Sequence, residues 1–65
     1  MILVTRINKI TQFWLNEDMI EFIEEAPDTI ITLNSGLKIA VMEPALEVVG
    51  KIRSEKIRIK LATEF

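Results

Sequence analysis

The side chains that could do chemistry here are the charged ones, and they are segregated along the chain. Glu17, Asp18, Glu21, Glu24, Glu25 and Asp28 form an acidic block with no cation inside it. Lys51, Arg53, Lys56, Arg58 and Lys60 form a basic block interrupted only by Glu55. The chain has no His and no Cys, so two of the commonest base and nucleophile types are missing, as are the usual zinc ligands. Glu24-Glu25 is the nearest approach to paired carboxylates. Neighbours in a strand point to opposite faces, however, and such a pair cannot share a substrate. The stretch from Glu17 to Asp28 lacks the ligand spacing of an EF-hand. The two glycines, Gly36 and Gly50, make no phosphate-cradling loop. The expectation is a chain with no enzymatic activity, no small-molecule substrate, no metal and no cofactor.

Charge without catalysis leaves recognition. The two blocks are either solvated faces that attract each other within the fold or docking surfaces for a protein, an anionic lipid or a nucleic acid. The candidate contact residues are Glu21, Glu24 and Glu25 on the acidic side, and Lys51, Arg53, Lys56, Arg58 and Lys60 on the basic side. Five basic residues in ten positions make a patch. Yet Phe13, Trp14 and Phe22 are remote from it in sequence, and the isoelectric point near 5.0 argues against a dedicated nucleic-acid binder. Hydrophobic residues make up 49% of the 65. That is high for a chain so short, and points either to a well-filled core or to a partner surface, including another copy of itself.

The elements that position these residues follow from local patterning. The spacing predicts one domain over residues 1–65, of α+β class: a small antiparallel β-meander of about five strands with one C-terminal helix packed on it. Asp28 to Leu33 and Leu37 to Met42 are rich in β-branched residues and flank Asn34-Ser35-Gly36, which predicts a hairpin. Gly36 takes the left-handed position of its turn, because glycine alone does so without steric cost. This register sets Leu33 opposite Leu37, Ile31 opposite Ile39 and Thr29 opposite Val41. Ile2 to Ile7 and Gln12 to Leu15 read as an earlier antiparallel pair, turned at Asn8-Lys9. Asn16 caps a helical turn with acids in its first positions, and a strand from Ile20 to Glu25 follows. A helix over Glu17 to Glu25 is the alternative. Pro44 is suited to a first helical position. After it, Ala45, Val48, Val49 and Ile52 recur at helical spacing. Gly50 costs that helix ~1 kcal/mol relative to Ala, a cost explained if it permits close approach to a strand. Ile57 to Leu61 alternates as a basic edge strand does, with a fraying helix end as the equal alternative. The expected core is Val4, Phe13, Leu15, Ile20, Phe22, Ile31, Leu33, Ile39, Val41, Val48, Val49 and Ile52. Trp14 is expected to pack in the core or on the sheet, with an exposed interface anchor as the alternative. No apolar run approaches the ~20 residues needed to span a bilayer, and Met1 to Arg6 lacks the apolar stretch of a signal peptide. A cytoplasmic protein is expected.

Several short words recur in a known family: Met1-Ile2 with Val4 to Asn8, Leu15-Asn16, Ile20-Glu21 with Ile23-Glu24, Pro27-Asp28-Thr29 with Ile31 to Leu33, Gly36 with Lys38, and Glu47-Val48-Val49. The chain resembles the small bacterial flagellar proteins of the FlbD type, also called SwrD, from Met1 to about Arg58. It departs from them in carrying Asn8-Lys9 where Asn-Gly is usual. It also carries Met42-Glu43-Pro44 where a Lys-Glu-Ser helix start is usual. The resemblance implies a cytoplasmic protein of flagellar motility that supports motor power, with a motor or basal-body protein as partner. It supplies no catalytic residue.

Overall fold

A computed structural model describes residues 1–8 and 10–63, with side chains through residue 57. It contains β1 (Ile2–Thr5), β2 (Gln12–Leu15), a 3-10 turn (Glu17–Met19), β3 (Ile20–Glu25), β4 (Thr29–Leu33), β5 (Lys38–Val41) and α1 (Ala45–Thr63). This is the expected α+β fold of five antiparallel strands and a C-terminal helix.

The central hairpin has the predicted register, with Thr29 opposite Val41 and Ile31 opposite Ile39. Leu33 N–H donates to the Leu37 carbonyl at 2.8 Å, and Gly36 sits at φ 93°. The Asn16 side chain accepts from Asp18 N–H at 3.0 Å. That cap ends β2 and launches the 3-10 turn, so the reading of a turn followed by a strand is the one observed.

The five strands do not all share one sheet. The strands form two sheets, β1-β2 and β3-β4-β5. The 3-10 turn diverts the chain between β2 and β3, and the end of β1 runs beside β5 instead. Arg6 bridges Val41, Ile7 N–H donates to the Ala40 carbonyl at 3.1 Å, and Met42 N–H donates to the Thr5 carbonyl at 2.9 Å. The expected Asn8-Lys9 turn includes Lys9, which lies outside the described residues.

The helix also differs. Its C-terminal part runs through the segment that alternates, Ile57 to Leu61. A helix already nucleated gains one hydrogen bond for each residue added, and this outweighs a local β pattern. The edge-strand reading is thereby withdrawn. The helix begins at Ala45, one residue later than Pro44 suggests, and the Pro44 carbonyl accepts from Glu47 and Val48 N–H.

The core lies between the two sheets' inner faces and α1. Ile2, Val4, Leu15, Ile31, Ile39, Val41 and Val48 are buried, with Phe13, Ile20, Ile23, Leu33 and Ile52 packed around them. Ile2 belongs to this core and was not expected there. Phe22 is 43% exposed and Val49 41% exposed, so both leave the expected core. Phe22 falls opposite Thr32, on the sheet face away from Ile31. Val49 sits on the helix flank. Trp14 is 64% exposed and is not core. An added Cβ on Gly50 would meet no described atom within 4 Å, so this glycine serves no close approach to a strand.

Candidate functional site

The acidic block splits into structural and free carboxylates. Glu17 is buried, and its carboxylate accepts from the Met1 α-amino group, which also lies 3.5 Å from Glu55. The ammonium hydrogen bond holds the Glu17 carboxyl below its ordinary value, and Glu17 in turn raises the amine. Glu25 Oε1 accepts from Ala45 N–H at 2.9 Å and caps α1 from a neighbouring strand. Pro44, just before the helix, has no side-chain acceptor to do this. Glu21 and Glu24 stand exposed on β3.

Glu43 was not singled out in the sequence, yet it fastens two parts of the chain. Its carboxylate accepts from Thr5 N–H at 2.9 Å and from the Thr5 hydroxyl at 2.7 Å. Burial pushes the Glu43 carboxyl up, but the Thr5 bonds outweigh burial and its pKa is lowered. The only local signal was a carboxylate beside a helix start; the partner 38 residues away had none.

The basic block is divided by the winding of α1. Lys51 Nζ donates to the Leu3 carbonyl at 2.7 Å and lies 4.0 Å from Glu47. Arg53 and Lys56 are exposed. At about 100° per residue, Arg53 lies ~200° around the axis from Lys51. Arg58 and Lys60 fall within the helix, but their side chains lie outside those described. Among the described side chains, the helix therefore separates Lys51 from Arg53 and does not gather the cations into one stripe. No ion pair joins the acidic block to the basic one among the described residues, although the Lys56 charge also lowers Glu17.

Two shallow grooves flank the helix. One, of ≈ 320 Å³, is lined by Val49, Ile52, Arg53, Lys56 and Ile57. The other, of ≈ 560 Å³, lies between Leu3 and Trp14 of the first hairpin and Glu47, Gly50, Lys51 and Ser54 of α1. On the far side of the hairpin, Arg6 stacks over Phe13 with 4.7 Å between the guanidinium carbon and the ring centre. Among the described residues, no group of three or more acidic side chains is placed to hold a metal ion. No described helix is long and apolar enough to cross a membrane.

A family model described as "FlbD: Flagellar and Swarming motility proteins" matches residues 1–60. The chain belongs to the FlbD family. No curated protein and no solved structure matches it. Membership in FlbD associates the chain with flagellar and swarming motility. The match spans both sheets and most of α1, so the Trp14 groove and the Thr5–Glu43 clasp lie within the family's extent.

Proposed function

We propose that this FlbD-family chain acts without catalysis, in the cytoplasm, supporting the power of the flagellar motor through contact with a motor or basal-body protein. The observation that carries this reading is Trp14, 64% exposed on the wall of the ≈ 560 Å³ groove. Exposed tryptophan beside a concave surface has the character of an interface anchor. Glu21 and Glu24 add exposed charge that can set the partner's orientation. Nucleic-acid binding through Lys51, Arg53, Lys56, Arg58 and Lys60 is the weaker reading, because Lys51 is engaged by the Leu3 carbonyl and lies across the helix from Arg53.

The test is swimming speed after deletion of the gene, with filaments counted in the same cells and either the wild type or Trp14→Ala restored. Slow cells with normal filaments, rescued by the wild type and not by a folded Trp14→Ala protein, support the reading. Normal swimming after deletion overturns it. Binding of RNA or DNA that weakens steeply with added salt would favour the nucleic-acid reading instead.

A further inference from the structure

Helix α1 buries Val48 on one side, with Ala45 and Ile52 half-buried beside it. On the solvent side Leu46, Gly50, Arg53 and Ile57 form one row, at spacings of four, three and four residues, with Gly50 on the rim of the Trp14 groove and Arg53 and Ile57 on the rim of the other. Leu46 is 86% exposed and Ile57 is 52% exposed. A Cβ at Gly50 would meet no described atom. This outer row is left unpacked by the described part of the chain.

The row is self-complementary. Leu46 and Ile57 are equidistant from a point between residues 51 and 52, and so are Gly50 and Arg53. A second copy, antiparallel and related by a two-fold axis at that point, sets Leu46 against the partner's Ile57. It sets Gly50, with no side chain, against the partner's Arg53, one of the longest. Each pairing occurs twice, as an isologous interface requires. Charge runs the same way. Glu47 lies in the first turn of α1, and Glu25 caps Ala45. The cations Arg53, Lys56, Arg58 and Lys60 all lie in the later part. Antiparallel pairing brings each basic part toward the other copy's acidic end, and the helix dipoles also oppose. An anionic bilayer fits less well, because Leu46, the most exposed apolar residue of the row, adjoins Glu47 at the acidic end.

We propose that this outer row is a homodimer interface in which two copies of α1 pack antiparallel. One helix face covers less than the ~800 Å² per partner of a standard interface. The dimer is therefore weak and concentration-dependent, with a dissociation constant in the micromolar range or above.

Sedimentation equilibrium of the full chain, from micromolar to millimolar concentration, tests the proposal. A shift from monomer to dimer is expected, and a monomer throughout would overturn it. Leu46→Lys alone and Ile57→Glu alone are each expected to weaken association by about tenfold or more. The double variant recovers it, because the new Lys then faces the new Glu of the other copy. A double variant no tighter than either single one rules out the antiparallel register. Gly50→Leu separates folding from association: its circular dichroism and thermal midpoint are expected to be unchanged or improved while the dimer is lost. A Gly50→Leu protein that is folded and still fully dimeric contradicts the proposal.

Discussion

Glu43 accepts from both the backbone N–H and the hydroxyl of Thr5, so one side chain fastens β1 to the segment leading into α1. Glu43→Ala removes a charged acceptor and leaves a part-buried N–H and hydroxyl to find water. A loss of about 1–3 kcal/mol is expected, read by urea denaturation. At Gly36 the cost has a different origin. No described atom lies within 4 Å of an added Cβ, but φ is +93°. Gly36→Val is therefore expected to lose about 1–2 kcal/mol through backbone strain, with no steric clash. An unchanged thermal midpoint would contradict the turn assignment. These two residues also show what a sequence can reveal. Gly36 was legible because its role is set by the three residues of its own turn. Glu43 and the capping role of Glu25 were not, because each depends on a partner brought close by the tertiary fold. Glu25, a candidate contact residue, is exposed and also caps the start of α1.

At the scale of elements, the hairpin β4-β5 was readable down to its register because alternation and turn chemistry agree there. The end of α1 was not, because Ile57-Arg58-Ile59-Lys60-Leu61 satisfies a strand pattern as well as a helical one. The helix that precedes it decides the outcome, and five residues taken alone do not contain that information. Trp14 and Phe22 were misplaced for a related reason. Alternation within a strand shows which residues share a face, but not which face the rest of the molecule covers. Gly50 is the weak point of α1. Because its Cβ position is open, Gly50→Ala is expected to stabilise the fold by about 1 kcal/mol through helix propensity. Thermal denaturation in dilute solution would show it, and a lower midpoint would mean that the position is crowded after all.

For the molecule as a whole, the linked charges define a window of pH. Glu17 and Glu43 have carboxyl groups held below their ordinary value of 4.5. Their contribution is complete above that value and is lost as pH falls through the lowered pKa values. The Met1 amine is raised above 8.0, so its contribution is complete below 8.0 and is lost as pH rises through the raised value. Stability is expected to be flat between these limits and to decline on both sides, measured as the thermal midpoint across about pH 3 to 10. In Glu43→Gln the acid arm should become shallower while the alkaline arm stays. Candidate surfaces are harder to read than folds at this scale. The sequence showed that the charges were segregated, but the separation of Lys51 from Arg53 around α1 depends on the winding of the helix. The exposure of the outer helix row depends on where the sheets stop.

Trp14 is the one tryptophan in a chain without tyrosine, and it stands largely in water. The intrinsic fluorescence of this protein therefore comes from a solvated indole even in the folded state. Unfolding should shift its emission only slightly, so the signal is a poor thermometer of stability. Covering the hairpin groove should move the emission to shorter wavelength, which makes the unlabelled protein its own optical reporter of partner capture.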